Sequence, residues 1–483
     1  MVKSKQTVLL LNPPGRKMYI RDYYCSKVSK ANYYPQPVDL LTQSGWLATK
    51  YEVKLIDAIV DEINEKDCLA QIYELNPDII LFITGSVSWD EDLPFLEKVA
   101  KINSTNVLSS AKSLPRRKDL IMVGSGDIFK ENGHEKIKKY PWINAVVLNF
   151  STDGVLQFLQ GNEDQITDLI YRTKKGEIKS APESDKRGEW KLPMPRQDLF
   201  VGKNYRYPFA TGYPMATMLT NYGCPYKCTF CIMSTLGYTF RKVPEIIAEM
   251  KVLKKLGVKY IYFSDQTFGV HKPINQELCK AMIKEKFGFQ WVCFSRVDVM
   301  DELTLTFMKQ AGCDTIMFGV EFADDKLLDI YIKDFHTDQV RKTFHLARKV
   351  GIKTMGTFLM GVPEENEEDC LRTIEFAKEL KCDYASFNFA VPRMGTGLRK
   401  KALEQKLITK DVEIMDQAGT FVAMGSNYLT KKQISRLRRR AIITFYFRPW
   451  YVINRFRKLR SWPEFKTQFL EAYHLTLNLI HPK

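Results

Sequence analysis

Short apolar runs alternate with helical periodicity along most of this 483-residue chain. Between residues 6 and 150, five runs read as buried strands: 7–12, 53–57, 79–84, 120–123 and 145–148. Apolar positions three and four apart, as at 40–48 and 93–102, place helices between them. Five short strands alternating with helices predict a parallel, doubly wound (Rossmann-like) sheet, which gathers ligands at the carboxyl ends of its strands. Residues 151–204 lose that rhythm. Charge and proline dominate there, a short strand pair near Tyr171 and Ile178 is the one legible element, and the stretch reads as a linker. From 205 to 400 the alternation returns, with strands at 215–220, 260–264, 291–295, 315–319, 354–360 and 384–390 and helices such as 244–256, 276–286 and 365–380. Six such units suit a partial six-stranded (β/α) TIM-like barrel, with function on the loops that follow the strands. Residues 401–483 read as a helical C-terminal region. The expected class is α/β.

The loop after the first barrel strand holds Cys224, Cys228 and Cys231 in a Cys-x3-Cys-x2-Cys run. Thiolates are soft anionic ligands suited to zinc or iron–sulfur clusters, and these spacings let one loop wrap one centre. A structural zinc site wants four ligands; the nearest histidine, His271, lies far downstream and no second Cys-x-x-Cys pair follows. Three cysteines without a fourth leave one iron of a [4Fe–4S] cluster open. Charged residues stand at other strand ends, with Asp265 after the second, Arg296 after the third and Glu321 after the fourth, and Gly361 follows the fifth.

With Phe230 just before the last cysteine, the run resembles the signature of the radical S-adenosylmethionine (SAM) superfamily. The resemblance implies a [4Fe–4S] cluster on the three cysteines, whose open iron chelates SAM, and a 5′-deoxyadenosyl radical formed on reduction. It also implies a strand-3 arginine (Arg296) for the SAM carboxylate, a strand-4 Gly-x-Glu (Glu321) for its amino and ribose groups, and an adenine shelf from Phe230 and the 356–361 backbone ending at Gly361. Arg241 and Lys242 resemble the basic pair that often follows the cluster. An internal ion pair bracing the barrel is the plainer reading of Arg296 and Glu321. For Asp265 the choice is between a cap or supporting group and a contact to SAM or substrate.

The N-terminal half resembles the cobalamin-binding domain of one large radical SAM class, in LLLNPPG, YPQPVDLL, YEVKLIDA, PDIILFITGS and IMVGSGD. Ser86 and Gly124 in the last two segments are its candidate cobalamin contacts. The Asp-x-His-x-x-Gly loop is absent, and LNFSTDG stands where the class usually has a Gly-Glu-Gly-Glu turn. The whole resemblance implies cobalamin-dependent C-methylation of an apolar small molecule, with a flavodoxin or ferredoxin as electron donor. Cyclisation, oxidation or carbon–carbon bond formation is the alternative, and a non-catalytic metal and nucleic-acid binding protein is the rival of another class.

Charge adds one regional feature to a formal net of +16. From Lys431 onward, 13 Lys/Arg stand against Glu464 and Glu471, interleaved with Phe445, Phe447, Trp450, Tyr451, Ile453, Phe456 and Trp462. Such a tail caps the barrel with its aromatics, lies on an anionic membrane surface, or does both, since the two are compatible; nucleic acid ranks third, with no recognisable binding module. Ten cysteines without a disulfide framework suggest a reducing cytoplasm. Cys279, Cys293, Cys313, Cys370 and Cys382 lack ligand spacing, and Cys25 and Cys68 are too few for a second three-cysteine cluster.

Overall fold

The computed structural model describes residues 5–24, 26–29, 33–101, 120–185, 187–410, 412, 422–449, 451 and 453. They form two compact units, one built mainly from the chain before Arg206 and one from the chain after it.

In the first unit, the strands Glu52–Asp57, Thr7–Asn12, Ile79–Ile83, Ile121–Ser125 and Ala145–Val147 lie side by side in that order, all parallel. Helices such as Val38–Ala48 and Glu65–Leu75 connect them. Layers on both faces explain why the strands read as unbroken apolar runs: Val8 to Leu11 and Ile80 to Ile83 have no exposed surface. The order reverses direction at Thr7–Asn12, so the crevice of this sheet lies outside the carboxyl ends of Thr7–Asn12 and Ile79–Ile83.

The stretch 151–204 is no mere linker. Leu169–Arg172 pairs antiparallel with Ala145–Val147, and Ile178–Ser180 pairs with Leu169–Arg172, extending the first sheet. The helix Gly154–Gln160 precedes them. The proline and charge that suggested a linker fall on the turns and the exposed outer strand, while Leu169, Ile170 and Tyr171 are buried.

The second unit holds six parallel strands in sequential order: Met215–Met218, Tyr260–Phe263, Gln290–Ser295, Cys313–Glu321, Lys353–Met360 and Tyr384–Phe389. Because each right-handed crossover advances to the next strand without reversal, all connecting helices fall on one face. The other face is the concave side of a partial barrel. A small sheet of Arg187–Glu189, Tyr238–Phe240 and Asn221–Gly223 stands at the carboxyl end of the first strand.

Of the basic tail, the helix Lys431–Tyr446 is described. It begins with a Thr430–Gln433 capping box and buries Ile434, Leu437, Ala441, Ile442 and Phe445. Its neighbours are the helix Glu367–Glu379 and the last barrel strand, so this part of the tail is a cap. Trp450, Phe456, Trp462 and Cys25 lie outside the described residues. No described helix is long and apolar enough to cross a membrane.

Candidate active site

The cysteine loop is pinched at its neck. Asn221–Gly223 and Tyr238–Phe240 pair antiparallel with Gly223 opposite Tyr238, and the Cys224 N–H donates to the Gly237 carbonyl at 2.9 Å. Gly223 has φ +75°, and a β-carbon there would stand 2.1 Å from the Gly237 oxygen, so only glycine closes this neck. Inside the loop the Cys231 N–H donates to the Cys228 carbonyl at 3.0 Å, turning two thiols toward one region. Burial pushes the Cys231 thiol up to about 11, and Arg393 pulls it down. Cys228 is pushed up by burial and pulled down by Lys333 and Arg296; the neighbouring thiols push both upward.

The three sulfurs are thus within electrostatic reach of one another in a desolvated loop, beside cations. Among the described residues, no three His, Cys, Asp or Glu side chains converge tightly enough for a single metal ion. Three soft thiolate donors on one loop, beside cations, are a donor set that a [4Fe–4S] cluster fits.

Asp265 supports the loop. Its buried carboxylate accepts the Thr220 N–H at 2.7 Å, the Asn221 N–H at 3.2 Å and the Thr220 hydroxyl, and burial lifts its pKa to about 6. Of the two sequence readings, the geometry matches the supporting one. Thr267, two residues on, places its hydroxyl 3.5 Å from Cys224 Sγ.

Arg296 and Glu321 do not brace each other. Arg296 Nε and Nη2 grip the Asp298 carboxylate, each at 2.9 Å. Its Nη2 also donates to the Lys333 carbonyl, its Nη1 lies 3.4 Å from Cys228 Sγ, and the guanidinium sits 3.6 Å from the Tyr226 ring centre. Four of its five N–H donors are therefore engaged. Glu321 faces Lys333, whose Nζ is 3.2 Å from Oε1.

Two irregularities aim this pair. A register shift between Gly319 and Glu321 bulges the strand, and Glu321 takes φ +68°. Lys333 is flanked by Ile332 and Asp334 at φ +54° and +56°, left-handed conformations that side chains seldom adopt. Gly319 leaves the room, since a β-carbon there would meet Glu321 Oε1 at 2.7 Å and Lys333 Nζ at 3.4 Å. Lys333 escaped the sequence reading because it lies on a loop with no motif spacing. The one available signal was a lysine amid the apolar and aromatic residues of IYIKDF, twelve positions after Glu321.

Phe230 lies 5.7 Å from Lys333 Nζ, ring centre to nitrogen, on the same side as the pair. Gly361 is not an open shelf. Its N–H is taken by the Glu365 carboxylate, and Ile434 of the C-terminal helix packs 3.0 Å from where its β-carbon would be. Arg241 is buried against Glu249 at 2.6 Å, and Lys242 pairs with Glu189 at 2.9 Å, so neither is a free basic pair. Cys279, Cys293, Cys313, Cys370 and Cys382 are buried free thiols, with Cys293 and Cys313 side by side on neighbouring strands.

In the first unit, the expected contacts point elsewhere. Gly124 is roofed by Phe82 and Phe129, whose rings would lie 2.7–2.9 Å from an added β-carbon. Ser86 does sit at a strand's carboxyl end, but its N–H and hydroxyl both go to buried Asp127, at 2.8 and 3.2 Å. The crevice itself is plugged by the loop after Thr7–Asn12. Arg21, fully buried, pairs with Asp92 and donates to the Asn12 side chain and the Pro13 carbonyl.

The sequence model of the radical SAM superfamily matches residues 218–377, spanning the cysteine loop, Arg296, Glu321, Lys333 and Gly361. That stretch is a radical SAM domain. Among curated proteins, this radical SAM enzyme is 29% identical over 431 residues to an uncharacterized methyltransferase of Pyrococcus horikoshii, covering 86% of this chain and 89% of that one. It is 24% identical over 358 residues to the anaerobic magnesium-protoporphyrin IX monomethyl ester cyclase of Rubrivivax gelatinosus, covering 71% of this chain and 61% of the cyclase. Two solved radical SAM structures share its fold. One is the cobalamin-dependent enzyme OxsB with aqua-cobalamin and SAM bound (TM-score 0.68, 16% identity, 99% of this chain and 72% of that one). The other is the methyltransferase TsrM of Kitasatospora setae with cobalamin and a [4Fe–4S] cluster (TM-score 0.61, 17% identity, 83% and 78%).

Proposed function

We propose that this radical SAM enzyme is a cobalamin-dependent methyltransferase acting on an unactivated carbon of an apolar substrate, of lipid, tetrapyrrole or natural-product type. The observation that carries the reading is one chain holding both a cysteine-loop barrel and a doubly wound sheet of order 2-1-3-4-5, in a fold shared over 99% of its length with a cobalamin-dependent radical SAM enzyme. The Pyrococcus horikoshii relative, similar over most of both chains, carries a methyltransferase name.

Cys224, Cys228 and Cys231 would hold the cluster in this reading. When bound, cluster and SAM supply a one-electron cleavage that yields a hydrogen-abstracting carbon radical. The chain's own residues bind and orient. Glu321 and Lys333, opposite charges 3.2 Å apart, complement the ammonium and carboxylate of an α-amino acid, here the methionine end of SAM. Phe230 offers an apolar wall beside them, and Asp265 fixes the loop's entry. Ser86 and Gly124 are not cobalamin ligands in this reading, because their donors and open faces are already occupied; the support for cobalamin is the shared fold.

A flavodoxin or ferredoxin supplies the electron in this proposal. The helix Lys431–Tyr446 makes peripheral contact with an anionic membrane, through an outer stripe of Lys432, Arg436 and Arg440 that continues into exposed Ile443 and Phe447.

The cyclase relative favours a second reading, in which the radical step ends in ring formation. Anaerobic reconstitution with iron, sulfide, SAM and cobalamin tests both. S-adenosylhomocysteine together with a methylated product supports methyl transfer, whereas 5′-deoxyadenosine and methionine without methylated product support the cyclase reading. A single tightly held zinc in place of iron would sink both.

A further inference from the structure

We propose that Arg296, clamped by Asp298, sets the reduction potential of the cluster through Cys228 rather than holding SAM. The inference rests on the cluster assignment. The guanidinium is the most heavily committed cation of the site. Asp298 takes two N–H groups in a planar fork, the Lys333 carbonyl a third, and Cys228 Sγ receives Nη1 at 3.4 Å. Two aromatic rings also lie against it, Tyr226 at 3.6 Å and Phe335 at 5.1 Å from ring centre to Cζ. Reorienting toward a SAM carboxylate would break this set at once, whereas Lys333 keeps ammonium donors beside Glu321.

The physical consequence follows from charge. Reduction adds one electron, supplied by the flavodoxin- or ferredoxin-class donor, to a cluster whose ligand sulfur accepts this N–H. Hydrogen bonds to the sulfurs and nearby positive charge stabilise the more negative, reduced form and raise the potential. Arg296 is 4% exposed, so solvent screens it weakly and its charge is felt strongly at the sulfur. Asp298 offsets part of that charge while holding the donor in line. The two residues therefore pull the potential in opposite directions.

The test is an EPR-monitored potentiometric titration of the full-length, anaerobically reconstituted chain without SAM, alongside equilibrium dialysis of SAM on the oxidised cluster. Arg296→Met should move the midpoint to more negative values and Asp298→Asn to less negative values. SAM affinity in both should stay within about threefold of the parent, well under the tenfold that 1.4 kcal/mol would bring. A merely structural role would shift both variants the same way or neither, and either result overturns the proposal. So does Arg296→Met losing SAM binding at an unchanged potential. Should Arg296→Met fail to assemble a cluster, Arg296→Gln takes its place, since it keeps an N–H donor without the charge; its midpoint must be more negative than the parent's, and a midpoint equal to the parent's overturns the proposal. Iron and sulfide analysis of the unaltered chain comes first. Fewer than four irons there would sink the cluster assignment itself, a failure distinct from any result in the variants.

Discussion

Glycine at position 319 leaves room for the site's ion pair. A β-carbon there would stand 2.7 Å from Glu321 Oε1 and 3.4 Å from Lys333 Nζ, so the carboxylate tip would have to swing away from its place beside the lysine. Gly319→Ala should therefore weaken SAM binding at least tenfold while leaving iron content at the parent level, measured by dialysis and iron analysis. Lys333→Met should weaken SAM binding by a similar factor, because it removes the ammonium proposed for the SAM carboxylate. It should also lower stability by about 3–5 kcal/mol, since it leaves Glu321 buried without its partner. At this scale spacing and strand position put the cysteines and Phe230 on the loop after the first barrel strand and Glu321 at the end of the fourth, which is where they lie. For Arg296 the position was legible but not the partner, because Asp298 sits two positions away and nothing in the chain's pattern says which carboxylate a guanidinium will choose. Lys333 was invisible for a related reason: its position depends on a loop that folds back over twelve residues.

Elements carry their own consequences. The turn after Lys353–Met360 is held by Glu365, which burial raises to about 7 from 4.5 although it accepts the Gly361 N–H. A carboxyl that binds its proton more tightly when folded stabilises the fold below about pH 4.5 and loses that contribution as pH rises through about 7. Chemical denaturation at pH 5 and pH 8 should show the parent losing stability over that span, and Glu365→Gln should flatten the slope. An unchanged slope would show that the carboxyl is already ionised at pH 5.

The helix Lys431–Tyr446 presents two faces, one buried on the barrel and one basic. Each basic residue near an anionic surface contributes about 1 kcal/mol. Arg436→Gln with Arg440→Gln should then reduce sedimentation with phosphatidylglycerol vesicles roughly 30-fold at low salt. Equal binding to neutral phosphatidylcholine vesicles, or tighter binding to RNA than to vesicles, would remove the membrane proposal.

For the whole molecule, the two sheets differ in what their strand order dictates. The sequential order of the second unit puts every connecting helix on one side and gathers the strand-end loops. Cys228, Arg296, Glu321 and Lys333 thereby come together from segments up to 105 positions apart, the span from Cys228 to Lys333. The reversal in the first unit creates a crevice, but Arg21 and Asp92 occupy it. Dithionite-reduced, reconstituted chain should cleave SAM with four irons per chain, and replacing any one of Cys224, Cys228 or Cys231 by alanine should abolish cleavage along with the cluster's visible absorption. Retained cleavage in any of the three would remove that cysteine from the ligand set.

By itself the sequence determined the alternation of strands and helices, the position of the thiols on the first barrel loop and the charged residues at other strand ends. These follow from periodicity and spacing, which are local. Only tertiary structure decided which charge meets which. It gave Arg296 to Asp298 and Cys228, Glu321 to Lys333, Gly361 to Glu365 and Ile434, and Ser86 to Asp127. It also turned the supposed linker into sheet edge. Pairings of this kind depend on backbone bulges and loop returns that bring distant positions within 3–4 Å, and a one-dimensional pattern holds no record of those distances.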